Sequence, residues 1–250
     1  MKISVVIPAH NEEGNIKNMA RLLFGNLGKN LMQVVVVDDC STDSTGKILD
    51  KLKKKYPKLT VVHRKRNGGV GNAIREGLKA ISDQATHVLL LDCDFTKNTI
   101  DIKKLVKAGE KADGVVGARF IKGGRLEGYA WPKKIANRSF HILAKAILGM
   151  RQWDVTNNFK FYRKQIIDDL KPYLESPGFS INAEIGIYAI LLGYNIKEVP
   201  VSWIERTKGM GISNFKVLKV GPGYFKVFMK SLRYKYFGFP LKVGVTSKNY

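Results

Sequence analysis

The sequence predicts an α/β fold: a mostly parallel, Rossmann-like sheet with helices on both faces. Two observations in the first 120 residues predict it. Short apolar runs rich in β-branched residues recur at 3–7, 33–38, 59–63, 87–91 and 114–118, with helical patterns between them. The runs are continuously apolar rather than alternating, as strands buried on both faces must be.

Taken in order, ISVVI (3–7) predicts the first strand and 12–24 the first helix. QVVVVD (33–38) leads to a helix over 43–55, and LTVVH (59–63) to one over 70–82. HVLLL (87–91) precedes a helix over 98–108, and GVVGA (114–118) closes this half. Residues 119–134 are basic and glycine-rich and read as a loop. Ile135, Ile142, Leu143, Ala146 and Ile147 then place an apolar stripe at helical spacing over 135–150. NFKFY (158–162) predicts a strand, 164–170 a short helix, 181–193 a buried helix ending at Gly193, and NIKEVPVSW another strand. From 212 onward, two amphipathic helical segments flank the breaker Gly221-Pro222-Gly223. These elements divide the chain into a main α/β domain over 1–211, with halves 1–118 and 119–211, and a basic, aromatic C-terminal segment over 212–250.

The chain has 250 residues, with 43 basic and 21 acidic residues and a formal net charge of +22. That charge implies an anionic partner: nucleic acid, anionic lipid or a phosphorylated substrate. After Glu205 come ten basic residues and no acid, interleaved with aromatic residues such as Phe215, Tyr224, Phe225 and Phe228. A solvated basic tail would not carry that aromatic surface, whereas an interfacial helix needs it. Two cysteines, Cys40 and Cys93, make no disulfide framework. No secretory pattern and no run of roughly 20 apolar residues is present, so the expected location is cytoplasmic, peripheral to the cytosolic face of a membrane.

Open sheets of this kind bind ligands beyond the carboxyl ends of their strands. Those ends are PAHNEE (8–13), DDCSTDS (38–44), RKRNGG (64–69) and DCDF (92–95). In an extended strand Asp92 and Asp94 share a face and Cys93 points away. Two carboxylates so placed suit a hard divalent cation, Mg²⁺ or Mn²⁺, which completes its shell with water and substrate phosphate. The alternative is one aspartate capping the next helix and one solvated, with Cys93 a packed small residue. Asp39 follows the second strand, where an acid often bonds a ribose or base, while Ser41 and Asp43 suit helix capping. Gly68, Gly69 and Gly71 lack the spacing of the dinucleotide and Walker loops and fit a tight strand-to-helix turn.

SVVIPAHNEE, VVVVDDCSTDS, NGGVGNAIREGL and LLLDCDF follow the order and spacing of the A-type-fold glycosyltransferases of the large inverting family 2. GARFIKGG, WPKKIANRSF, WDVTNNFKFYRK, FSINAEIGIYAILLGYNIKEVPVSW and ERTKGMGISNFK resemble its polyprenyl-phosphate branch, so the resemblance spans roughly 1–216. It implies that Pro8, Ala9, His10, Glu12 and Asp39 hold the nucleoside of a sugar nucleotide such as GDP-mannose or UDP-glucose. Asp92 and Cys93 fall in the same nucleotide-binding stretch, and Asp92 and Asp94 would hold the metal on the diphosphate. Arg119 and Arg138 would meet the phosphate of a polyprenyl or dolichyl phosphate, with Arg206 and Ser213 near the diphosphate. Asp154 stands where a base or positioning role has been proposed. Thr96 stands where mannose synthases often have glutamine, Asp154–Lys160 departs from the branch's D-P-T-G-G-F-R stretch, and the element with Arg206 carries one extra residue before Ser213.

The implied reaction is an in-line displacement, with a lipid phosphate oxygen attacking the anomeric carbon. Two other readings compete. A transferase acting on a sugar or protein hydroxyl would need a stronger base, with Asp154 and Glu184 as candidates. A nucleic-acid-binding protein would draw on the net charge, yet the chain shows no RNA-binding aromatic motif or DNA-reading module, so no nucleic acid is expected.

Overall fold

The computed structural model describes residues 1–95, 100–204 and 216–239. The elements in chain order are β1 (Ile3–Ala9), α1 (Ile16–Leu27), β2 (Leu31–Asp38), α2 (Thr45–Lys55), β3 (Leu59–His63), α3 (Val70–Lys79) and β4 (His87–Leu90). Then follow α4 (Ile100–Gly109), β5 (Gly114–Ala118), β6 (Arg125–Glu127), α5 (Trp131–Leu148), β7 (Lys160–Arg163) and α6 (Lys164–Leu170). The remainder are α7 (Ile181–Leu191), β8 (Ile196–Pro200), β9 (Ser202–Ile204) and α8 (Val217–Phe237).

Seven strands form one sheet in the order β3-β2-β1-β4-β7-β5-β8. All neighbours are parallel except β7, which runs antiparallel to both β4 and β5. Alternation along each strand splits the core in two. Val6, Val35, Val37, Val88, Leu90 and Val116 face one layer, packed under α3, α5, α6, α7 and α8. Val5, Ile7, Val34, Val36, Leu89 and Val115 face the other, under α1, α2 and α4. The strand order reverses between β1 and β4, the crevice where open sheets place their ligands.

Four expectations are corrected. NIKEVPVSW forms two strands, because Pro200 has no N–H to continue a ladder and Val201 turns to donate its own to Ala118. The expected loop over 119–134 contains β6, which pairs with β9, and the first residues of α5. Residues 92–95 close a turn rather than extend the strand, with the Phe95 N–H donating to the Asp92 carbonyl at 3.2 Å. The burial pattern expected of a strand survives: Cys93 is buried, Asp92 exposed and Asp94 intermediate.

The fourth concerns Gly221-Pro222-Gly223, which does not separate two helices: α8 runs through it. Pro222 removes the bond to the Leu218 carbonyl, but Leu218 is 94% exposed, so that end of the helix faces water. Gly223 lets the helix lie against Ser180, whose Oγ would sit 2.9 Å from an added Cβ. The remaining turns are held by packing: Val227, Phe228 and Tyr234 belong to the main core, and Phe140 meets Tyr224 and Phe228 edge-on.

Candidate active site

Two loops at the ends of β1 and β2 are tied to each other. The Asn11 and Glu12 N–H groups donate to Ser41 Oγ and Thr45 Oγ1, and the Thr42 and Ser44 N–H groups donate to Asn11 Oδ1 and Glu13 Oε2. Asn11 and Cys40 adopt left-handed backbone, at φ 55° and 58°, to make the two turns meet. Asp43, not Ser44, caps α2, taking the Thr45 N–H at 2.9 Å.

Asp39 is nearly buried, and its oxygens already accept from the Arg64 guanidinium and from the Gly68 and Gly69 N–H groups. It lines the cleft, but it organises the 64–69 loop rather than presenting a bare carboxylate to a ribose. That loop delivers Asn67, whose amide lies 3.2 Å from the His10 ring. His10 Nδ1 sits 3.0 Å from the Asp39 carbonyl oxygen. The glycines serve close approach as well as the turn. Gly69 sits at φ +86°, and an added Cβ on Gly71 would lie 2.1 Å from the Ser176 carbonyl oxygen.

Beyond the ends of β1, β2 and β4 opens a cleft of about 1250 Å³. Pro8, Ala9, His10, Glu12 and Asp39 line one end with Asp92, Cys93 and Asp94. Arg119, Tyr129 and Lys133 line the middle, and Leu143, Phe225, Phe228, Lys216 and Lys219 bring α5 and α8 to the far side.

Arg119 and Asp154 form a buried ion pair at the end of β5. Asp154 is fully buried and accepts from the Arg119 N–H, Nε and Nη2, each at 2.8 Å. Burial pushes the Asp154 carboxyl up, but the Arg119 charge and hydrogen bonds prevail and hold it below the usual range. A fully buried carboxylate tied to an arginine by three hydrogen bonds is poorly placed to act as a general base and is suited to positioning Arg119. His141 is pushed down to about 4 by burial, so it is neutral. Its Nδ1–H donates to the Asn137 carbonyl, and Nε2 accepts the Val155 N–H, which fixes the loop carrying Asp154.

Arg138 departs from its expected role. Its Nη1 donates to the Trp153 carbonyl, and the guanidinium is sandwiched between Phe120 and Trp153, at 4.7 and 5.2 Å from their centroids. It is not among the residues lining the cleft; its guanidinium is held between the Phe120 and Trp153 rings instead. Lys133, five residues earlier on the same helix, does line it. Arg206 and Ser213 lie outside the described residues, as does Thr96.

Three site residues escaped the sequence reading. Asn158 donates its amide N–H to Asp92 Oδ1 at 2.8 Å. Lys160, fully buried, is pushed down to about 7 by burial despite the nearby Asp154 and Asp92, and donates to the Asn157 carbonyl. Tyr129 stacks on Arg119 at 5.5 Å. Register places the first, and only the structure shows that register. β4 and β7 pair 87 with 163 and 90 with 160, so continuing the ladder sets 158 opposite 92.

The donor set fits a hard cation: Asp92 and Asp94 line the same cleft, with the Asn158 amide beside Asp92. Among the described residues no cluster of three histidine, cysteine or acidic side chains adds to them.

Residues 4–171 match the family described as Glycosyl transferase family 2. The chain belongs to that family and is a glycosyltransferase. It is 27% identical over 229 residues to the polyprenol monophosphomannose synthase of Mycolicibacterium smegmatis, covering 89% of this chain and 84% of that one. It is also 27% identical over 213 residues to the undecaprenyl-phosphate mannosyltransferase of Micrococcus luteus, covering 84% and 86%. Among solved structures, glucosyl-3-phosphoglycerate synthase from Mycobacterium tuberculosis with Mn²⁺, UDP and phosphoglyceric acid shares the fold. Its TM-score is 0.69 at 18% identity, covering 96% of this chain and 80% of that one. S. aureus TarS 1–349 with UDP-GlcNAc shares it at 0.59 and 20% identity, covering 97% and 68%.

Proposed function

We propose that this glycosyltransferase moves a hexose, mannose or glucose, from a nucleotide sugar to a polyprenyl phosphate with inversion at the anomeric carbon. The nucleotide would lie along Pro8–Glu12 and the 64–69 loop, as the nucleotide of GDP-mannose or UDP-glucose. Mannose is favoured because both relatives of the chain just described are named for mannosyl transfer. A divalent cation, Mg²⁺ or Mn²⁺, on Asp92 and Asp94 would neutralise the charge developing on the departing diphosphate.

One observation carries the choice of acceptor: neither carboxylate considered as a base is available. Asp154 is saturated by Arg119. Glu184 is buried and accepts from the Glu175 and Ser176 N–H groups and Ser176 Oγ. A hydroxyl acceptor needs such a base, whereas a phosphate monoester, with a second pKa near ~6, arrives largely deprotonated. Arg119, Lys133, Lys216 and Lys219 supply cations along the cleft wall where such an anion would sit.

The far wall suits the lipid. Leu143 and Phe225 line the cleft and are also 45% and 65% exposed, continuing into exposed Ile142, Leu218 and Met229. Apolar side chains ringed by lysines on α5 and α8 are what an interfacial surface on an anionic bilayer requires. No described helix is long and apolar enough to cross a membrane. The test is transfer from GDP-mannose and UDP-glucose, with Mn²⁺ or Mg²⁺, to a short-chain polyprenyl phosphate and to soluble sugars in parallel. Transfer to the sugars and not to the lipid phosphate would overturn the acceptor assignment.

A further inference from the structure

The side chain of Asn158 is 2% exposed, yet it lines the cleft. Its amide nitrogen is committed to Asp92 Oδ1, an assignment the chemistry enforces, since an amide oxygen facing a carboxylate would repel it. That leaves Asn158 Oδ1 beside Asp92, buried and with no hydrogen-bond partner among the described residues. A buried acceptor without a donor is destabilising and calls for something to satisfy it. What joins the lone pairs of an amide oxygen to those of a neighbouring carboxylate is a cation. Amide oxygens are hard donors of the type that Mg²⁺ and Mn²⁺ accept.

Resting on the reading that Asp92 and Asp94 hold the metal, we propose that Asn158 Oδ1 is a third protein donor to the same divalent cation. Asn158 then has two tasks on one carboxamide: the nitrogen fixes the rotamer of Asp92 and the oxygen enters the coordination shell. The strand pairing makes this possible. β7 lies antiparallel beside β4, and the ladder carries 158 to the level of 92 just where both strands leave the sheet.

The test measures Mn²⁺ and Cd²⁺ binding by the full chain, by calorimetry and by loss of the free-Mn²⁺ spin-resonance signal. Wild type, Asp94→Asn, Asn158→Ala, Asn158→Asp and Asn158→Cys are compared, each melted in chelator to establish folding. Asp94→Asn is expected to lose Mn²⁺ binding, and Asn158→Ala to weaken it by about tenfold or more. Asn158→Asp, which restores an oxygen donor, is expected to bind at least as tightly as wild type. The cysteine variant separates coordination from mere support of Asp92. A ligand at 158 shifts preference from Mn²⁺ towards the softer Cd²⁺ by about tenfold relative to Asn158→Ala. If Asn158→Cys and Asn158→Ala show the same Cd²⁺ to Mn²⁺ ratio, Asn158 is no ligand and the proposal is overturned while the Asp92–Asp94 site stands. If Asp94→Asn binds Mn²⁺ like wild type, the metal reading itself falls and this inference with it. Should the cysteine variant not fold, wild-type affinity in Asn158→Ala, or tenfold weaker binding in Asn158→Asp, overturns the proposal.

Discussion

Replacing Arg119 with methionine removes the Nε and Nη2 donors from a carboxylate that has no access to water. Asp154 is fully buried and the Arg119 side chain only 9% exposed, so little solvent screening is available. Breaking a buried pair from one side costs about 3–5 kcal/mol, because the remaining charge is left uncompensated. At roughly 3 °C per kcal/mol for a domain of this size, Arg119→Met lowers Tm by about 12 °C. Asp154→Asn is expected to cost a similar amount by stranding the guanidinium. The double variant carries no buried charge at the pair, so it is less damaged than the sum of the two by about 2 kcal/mol or more. The acid limb gives a second readout. The Asp154 carboxyl titrates below its ordinary value in the folded chain, despite burial, because of Arg119. The stability it contributes is therefore present above the unfolded value near ~3.9 and is lost as pH falls through the lower folded value. The difference between wild type and Asp154→Asn shrinks in that acid window. Urea unfolding followed by circular dichroism measures all three variants. Strictly additive single costs, or single costs under about 1 kcal/mol, would refute the ion-pair argument.

His63, which contacts Asp38 at 3.0 Å and Asp50 at 3.1 Å, has its pKa raised, the two carboxylates outweighing the lowering by burial. Its stabilisation is present below its unfolded value near ~6.5 and fades as pH rises through the folded value, so His63→Asn is expected to lower Tm more at pH 6 than at pH 8.5. Gly71→Ala would drive a methyl group into the Ser176 and Pro177 backbone, and a destabilisation of about 1–3 kcal/mol is expected in urea titration. Leu218→Glu with Phe225→Glu is expected to reduce co-sedimentation with anionic vesicles while leaving Tm near wild type, since both side chains are exposed.

Much of the fold was legible because burial writes itself into strand composition. The runs from β1 to β5 are apolar on both faces, and only a sheet covered on both sides uses such segments. The placement of β7 was not legible, since nothing within NFKFY states that it inserts antiparallel between β4 and β5. That one insertion decides the site, bringing Asn158 to Asp92 and burying Lys160. Gly221-Pro222-Gly223 misled for a related reason: local propensity favours a break, and packing of α8 on α5 and α7 overrides it. Strand-end position singled out Asp39, and the resemblance singled out Asp154 and Arg138. Their partners, Arg64, Arg119 and the Phe120 and Trp153 rings, come from distant positions in the chain, and those partners decide what each residue can do.

The most direct test of the central claim is transfer by the purified chain from GDP-mannose to a short-chain polyprenyl phosphate, with Mn²⁺ and with chelator, for wild type and Asp94→Asn. UDP-glucose is run in parallel. Lipid-linked sugar is expected from wild type with metal, and none from wild type in chelator or from folded Asp94→Asn. Undiminished transfer by Asp94→Asn in chelator would contradict that claim.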